Sequence, residues 1–213
     1  MCGKYRSRSV LALTLMIAQS FLFNAVYFSY GLVLNRFEQV EAHRTGLYLL
    51  LLCVSNFMGP LLLGSLFDTV GRRTMIAGTY GISGILLIAT ALAFGFGALT
   101  AWTQTLAWMT IFFFASAAAS SAYLTVSEIF PLETRALAIA IFFALGTSVG
   151  ACAPLLFGYL LEADSRWPIA GGYLLAAALM LTAAIVEAKL GIDAEMRSLE
   201  DIADPLSEAQ AAG

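Results

Sequence analysis

Charged residues divide the chain into long uncharged runs. The run between Arg8 and Arg36 holds 27 residues, and the runs that follow hold 23, 54, 26 and 20. A helix needs about 20 apolar residues to cross a bilayer, so four runs fit one span each and the run of 54 residues fits two. That long run breaks at a cluster of glycines and polar residues between Gly95 and Gln104. The pattern predicts an all-α membrane protein with six spans, near residues 10–34, 45–67, 74–96, 104–127, 136–161 and 168–187.

Composition excludes several classes of protein. Apolar residues fill 60% of the 213 positions and charged residues 12%, whereas a soluble domain carries about 25% charged residues. A soluble enzyme, a disordered tail and a nucleic-acid binder with a basic surface are therefore excluded. The three cysteines show neither a disulfide framework nor zinc-site spacing, and we expect no metal and no cofactor. Cys53 and Cys152 lie in apolar runs, so we expect them to be buried as small hydrophobic side chains.

The distribution of cations predicts the orientation. Six spans place both termini on one side, and that side carries eight of the eleven Lys and Arg residues. By the positive-inside rule both termini are cytoplasmic, in a multi-pass protein of the cell membrane. The predicted organisation is a cytoplasmic segment at 1–9, a six-helix transmembrane domain at 10–187 and a cytoplasmic acidic tail at 188–213. Residues 198–201 could cap a short helix in that tail, although a solvated tail is the simpler interpretation.

Two junctions between spans repeat one pattern. The junction after span 2 runs from Gly64 to Arg72, and the junction after span 5 runs from Gly158 to Arg166. A glycine, a leucine, an acid, a small residue and an arginine recur at the same spacing in both. Since the two junctions lie on opposite sides of the membrane, they predict a 3+3 inverted repeat, which is typical of transporter folds.

Two further patterns lie on the predicted cytoplasmic side. The first is G-x-L-x-D-x-x-G-R-R, in the short turn between spans 2 and 3. The second is S-E-x-F-P-x-x-x-R, between spans 4 and 5, where the proline ends a helix. We expect their charged groups to form an ionic cluster at the cytoplasmic end of the bundle, although exposed pairs that only anchor the helices are the alternative. The candidate gate residues are Gly64, Asp68, Gly71, Arg72, Arg73, Glu128, Pro131 and Arg135.

Together these two motifs resemble the paired cytoplasmic motifs of the major facilitator superfamily, especially of its sugar-porter branch. Members of that family have twelve helices in two six-helix halves, and the motif order in this chain matches the second half. The resemblance extends over nearly the whole sequence. It implies half of a twelve-helix fold, with a missing N-terminal six-helix half or a second copy of the chain as partner. A truncated product, a subunit of a split carrier and a homodimer all fit this expectation, and truncation is the one we favour.

The resemblance also implies substrate-binding residues. Sugar porters carry a glutamine on their seventh helix and an asparagine five residues later, as Gln19 and Asn24 do here. Their eighth helix carries an asparagine twelve residues before the motif aspartate, which corresponds to Asn56. Tyr123 stands where many members have tryptophan, five residues before the motif glutamate. The candidate binding residues are therefore Gln19, Asn24, Asn56, Tyr27, Tyr30 and Tyr123.

The chemistry of these residues supports a binding role, with an alternative. Amides in the middle of a span must face a cavity or another helix, because lipid cannot satisfy them. They would bind a neutral or polyhydroxylated solute, or they would join helices by hydrogen bonds. On an ideal helix Gln19 and Asn24 point about 140° apart, so both can line one site only if the helix is broken or the site is wide.

The sequence favours a secondary carrier, or half of one, for a small polar solute such as a sugar or an organic acid. A non-transporting membrane subunit or sensor that keeps the fold is the alternative. An intramembrane enzyme is disfavoured, since the single histidine lies outside the spans at His43. The glycines of G-x-x-x-G at 146–150 favour close helix packing, although the same residues also match the G-x-S-x-G nucleophile pattern.

Overall fold

The computed structural model of this protein describes residues 6–130 and 132–191. Within those residues every regular element is helical, and six stretches are long and apolar enough to cross a membrane. This confirms the all-α fold with six spans, and it is consistent with half of a major facilitator fold. The helices are α1 Arg6–Phe37, α2 Ala42–Thr69, α3 Arg72–Gly95, α4 Ala101–Glu128, α5 Leu132–Gly150, α6 Cys152–Glu162 and α7 Arg166–Leu190.

The fifth span is divided into two helices, α5 and α6, which the sequence had led us to expect as one. The division falls at Ala151. Pro154 explains it, because a proline inside a helix lacks the N–H that would bond to the carbonyl of the residue four positions earlier, and its ring crowds that carbonyl. That residue is Gly150, the last residue of α5. The regular helical pattern is therefore interrupted at Ala151 and resumes as α6 within the same span.

The helix ends form two faces. On the first, Arg8 Nη1 near the start of α1 donates to the carbonyl of Ile129, just after α4, at 2.6 Å. On the second, Arg36 at the end of α1 pairs with Asp164, just before α7, at 3.0 Å. We call the first the terminal face, because α1 begins and α7 ends there, and the second the opposite face.

The spans differ greatly in how much of their surface is covered. In the most apolar stretch of α4, 61% of the residues are buried, whereas the value is 17% for α2 and 22% for the span formed by α5 and α6. Cys53 on α2 and Cys152 on α6 are both exposed, so the expectation that they are buried was wrong. The expectation rested on the apolar runs around both cysteines. Side chains that face lipid or a partner helix are as apolar as those in the core, so such a run does not indicate burial.

Glycines allow two close helix contacts. A Cβ on Gly59 of α2 would overlap the Phe113 carbonyl and the Ser116 hydroxyl of α4. A Cβ on Gly146 of α5 would lie 2.8 Å from Met16 Cβ on α1, and one on Gly150 would overlap the Ser20 hydroxyl. The G-x-x-x-G residues of α5 therefore pack against α1, which confirms the packing interpretation of that pattern.

Candidate functional site

A cavity of about 280 Å³ opens in the middle of the bundle, where α1, α4 and α5 meet. Amide, hydroxyl and aromatic groups line it, and the lining residues in the described part of the chain carry no formal charge. We call it the central cavity. Its lining residues are Gln19, Ser20, Phe23 and Asn24 of α1, Ala119 and Tyr123 of α4, and Phe143 and Thr147 of α5.

Three of the six candidate binding residues meet at this cavity: Gln19, Asn24 and Tyr123. Helix α1 runs unbroken from Arg6 to Phe37. The two amides therefore share one site because the cavity extends along a wide arc of the α1 surface, from Gln19 to Asn24. The Asn24 amide donates to the Ser20 carbonyl at 2.8 Å, and the Gln19 amide nitrogen lies 3.3 Å from the Met16 sulfur.

Gln19 has an unused acceptor. The residue is buried, and its Oε1 has no hydrogen-bond partner among the described residues. A buried amide oxygen without a partner loses its hydration without replacement, which costs about 1–3 kcal/mol.

Sequence reasoning missed part of the lining. Ser20, Phe23, Phe143 and Thr147 belong to it, although none was a candidate. The Phe143 ring lies 6.1 Å from the Tyr123 ring, centroid to centroid, so the two form one aromatic wall. Thr147 lies inside the G-x-x-x-G pattern, and its hydroxyl donates to the Phe143 carbonyl at 2.7 Å. The G-x-x-x-G pattern predicted close helix packing around Thr147 but not which helix it faces, so it did not identify Thr147.

Asn56 lies elsewhere, in an open depression on the exposed surface of α2. Cys53, Phe57, Pro60 and Leu61 also line it. Asn56 Oδ1 has no hydrogen-bond partner among the described residues. In addition, Pro60 cannot donate to the Asn56 carbonyl four residues earlier, so the same residue also presents a backbone acceptor without its usual helical partner. Asn56 thus remains a candidate, but in a second location.

The two α1 tyrosines pack against other rings and do not line the central cavity. Tyr27 is half-buried, and its ring lies 5.1 Å from the Phe112 ring. Tyr30 is fully buried, and its hydroxyl lies 2.5 Å from the Thr105 hydroxyl. The structure therefore places Tyr30 in the bundle core rather than on an accessible surface.

The predicted ionic cluster is present on the terminal face. Arg72, at the start of α3, forms an ion pair with Glu128 at the end of α4, and it lies 3.7 Å from Asp68 of α2. Gly71 precedes the helix with φ = +108°, a conformation that favours glycine. A second cavity, of about 220 Å³, adjoins the cluster and is lined by Pro60, Gly64, Phe67, Asp68, Arg72, Ala117, Ser120, Ser121 and Leu124.

The other gate candidates are distributed around this cluster. Arg73 donates to the Ala188 carbonyl near the end of α7 and so joins α3 to α7. Arg135 lies half-buried near the start of α5, and its Nε has no hydrogen-bond partner among the described residues. Pro131 lies outside the described residues.

Comparison with known proteins places the chain in a family. The family model described as "Sugar (and other) transporter" matches residues 1–204. The chain belongs to the sugar (and other) transporter family. That family consists of transporters rather than enzymes. Family membership and the six candidate spans together show that the chain is a multi-pass membrane protein. Among curated proteins, none matches the chain at a significant level.

Proposed function

We propose that this chain is a secondary transporter, or one half of one, that moves a small neutral polar solute across the cell membrane by alternating access. The central cavity is the observation that carries the proposal. It brings the amides of Gln19 and Asn24 and the ring of Tyr123 to one place in the middle of the bundle. Family membership indicates that the activity is transport. The uncharged polar lining of the central cavity indicates a neutral polar solute.

The lining favours a neutral polyhydroxylated solute, such as a sugar, over an organic acid. Amides donate and accept hydrogen bonds, as sugar hydroxyls do, and the Tyr123 and Phe143 rings offer flat apolar surfaces to a sugar ring. A carboxylate would need a cation or several convergent donors to replace its hydration. The described lining residues include no cation.

We further propose that a second six-span unit completes the site. A cavity of about 280 Å³ is at the small end of ligand sites, which usually enclose roughly 300–1,000 Å³. The spans least covered in this bundle are α2 and the span of α5 and α6, and they carry 14 of the 30 large apolar side chains that are exposed among the described residues. The partner is an N-terminal six-helix half or a second copy of this chain. In this arrangement the termini are cytoplasmic, and the Arg72–Glu128 cluster acts as the cytoplasmic gate.

Uptake into proteoliposomes tests the proposal. The chain is purified from its native membrane with whatever partner remains bound, and uptake of radiolabelled glucose, mannitol and lactate is compared. We expect saturable uptake of a neutral probe, and we expect Asn24→Ala to abolish it. The matched control is Asn35→Ala, on the same helix, because Asn35 is exposed and its amide bonds to the Val40 carbonyl at 2.7 Å.

Two results would contradict the proposal. If Asn24→Ala and Asn35→Ala both transport at the wild-type rate, the central cavity is not the site. If the wild-type assembly binds a neutral solute without moving it, the chain is a sensor or a non-transporting subunit.

A further inference from the structure

A second ion-pair cluster lies on the opposite face, away from the family's cytoplasmic motifs. Arg166, the first residue of α7, donates from Nη1 to Glu38 at 2.7 Å and from Nη2 to the Phe37 carbonyl at 2.9 Å. Its guanidinium also lies over two rings, 5.4 Å from the Phe37 centroid and 5.1 Å from the Phe94 centroid. One side chain thus joins the ends of α1 and α3 to the start of α7.

This pair is well shielded from solvent. The exposed fraction of the side chain is 8% for Glu38 and 25% for Arg166. The neighbouring pair between Arg36 and Asp164 is exposed on both sides. Exposed pairs contribute about 0–1 kcal/mol, whereas removing one partner of a shielded pair leaves the other charge uncompensated and is much more disruptive. Of these two pairs, the Arg166–Glu38 pair is therefore the one that can constrain the helix ends.

The pair occupies the position that the inverted repeat assigns to the Arg72–Glu128 pair. Arg72 begins span 3 and pairs with Glu128 at the end of span 4. Arg166 begins span 6 and pairs with Glu38, which directly follows span 1. In the repeat, span 3 corresponds to span 6 and span 4 corresponds to span 1. The Arg72–Glu128 pair therefore corresponds to the Arg166–Glu38 pair, which lies on the other face of the bundle.

Other features of the two junctions agree with this equivalence. Pro60 precedes Asp68 by eight residues, and Pro154 precedes Glu162 by eight. Gly64 and Gly158 also correspond, and a Cβ on either would meet no atom within 4 Å. The repeat therefore extends to the prolines and to the open glycines of both junctions.

We propose that Arg166 and Glu38 are a positioning pair for transport, the opposite-face counterpart of Arg72 and Glu128. The pair holds the ends of α1, α3 and α7 together, so that α1 moves with them as one rigid unit when the transporter changes conformation. This inference rests on the proposed transport function. Asn24 lies 14 residues from Glu38, about 21 Å along a helix. The pair therefore governs the rate of the conformational change and leaves solute binding intact.

Transport kinetics test this inference. In the proteoliposome assay, normalised to the amount of inserted protein, we expect Glu38→Gln to lower Vmax about tenfold, or about 1.4 kcal/mol in the barrier. KM should stay at the wild-type value, because the central cavity is unchanged. Asp164→Asn is the matched control, since it breaks the exposed pair on the same face, and it should keep the wild-type Vmax.

Two further variants separate positioning from simple loss of folding. The charge exchange Glu38→Arg with Arg166→Glu should recover part of the lost Vmax, because it restores a pair. Arg166→Lys keeps the charge but not the planar fork that reaches Glu38 and the Phe37 carbonyl together, so Vmax should still fall. This variant is the test if Glu38→Gln does not accumulate in the membrane.

The outcomes are distinct. A transporting wild type in which Glu38→Gln and Arg166→Lys keep their Vmax overturns the positioning role and leaves the proposed function standing. A raised KM with an unchanged Vmax also overturns it, because the pair would then act on binding. A wild-type assembly that transports none of the probes removes the proposed function and this inference with it.

Discussion

Substitution of Gly146 by alanine tests how closely α5 packs on α1. A Cβ at this position would lie 2.8 Å from Met16 Cβ, and 3.0 and 3.1 Å from the Met16 carbonyl carbon and oxygen. Two of these three atoms belong to the backbone, so a side-chain rotation cannot relieve the contact. The helices must separate, and overpacking of this kind costs about 1–3 kcal/mol.

Gly158→Ala is the matched control. It lies in the same membrane span, inside helix α6, and a Cβ there meets no atom within 4 Å. Both substitutions replace a helical glycine by alanine and share the propensity gain of about 1 kcal/mol. The difference between the two variants therefore isolates the packing term.

Thermal unfolding of the purified chain in detergent measures that difference. In a chain of this length a change of 1 kcal/mol shifts Tm by about 2–4 °C. We expect the Tm of Gly146→Ala to be about 2–12 °C below that of Gly158→Ala. In the transport assay Gly146→Ala should also raise KM, because α1 and α5 both line the central cavity. Equal Tm values for the two variants would refute the packing argument.

Three more predictions separate stability from transport. Gln19→Leu should raise Tm, because it removes a buried oxygen without a hydrogen-bond partner among the described residues, and it should abolish uptake, because it removes an amide from the cavity lining; a lower Tm would show that the amide already has a partner. Tyr30→Phe should lower stability by about 0.5–1.5 kcal/mol through loss of the Thr105 contact and leave KM unchanged; a KM change would place Tyr30 in the site. Glu128→Arg should slow uptake, and Arg72→Glu in the same chain should partly restore it; wild-type rates in the single variant would exclude a gate.

The spans and their order could be predicted because charges mark the ends of membrane helices. Helix α3 ends at Gly95, within the predicted break, and α4 begins at Ala101. The interruption at Ala151 escaped prediction because no charge marks it, although Pro154 is visible in the sequence. Length and charge thus locate spans, and proline chemistry is needed to locate an interruption within one.

Which side of a span faces the bundle could not be predicted. In water the buried side of a helix is apolar and the exposed side polar, but in a bilayer both sides are apolar. The exposure of Cys53 and Cys152 and the burial of Tyr30 therefore became visible only with the fold. The same limit hid Thr147, whose place in the cavity depends on how α5 packs on α1.

Charge pairing between distant helix ends also needed the structure. The repeated junctions indicated that Arg166 corresponds to Arg72, but the sequence did not indicate a partner for Arg166. Glu38 is 128 residues away from it in the chain. Only the packing of α1 beside α7 brings the two together.

Solute protection of the central cavity tests the account most directly. Thr147→Cys, in a chain whose native cysteines are replaced by serine, places a thiol in the cavity lining. Ser148→Cys is the control, since Ser148 is exposed and is not among the lining residues. We predict that a neutral solute transported in the uptake assay slows maleimide alkylation at position 147 and not at position 148. Equal alkylation rates at position 147 with and without the solute would contradict the assignment of this cavity as the binding site.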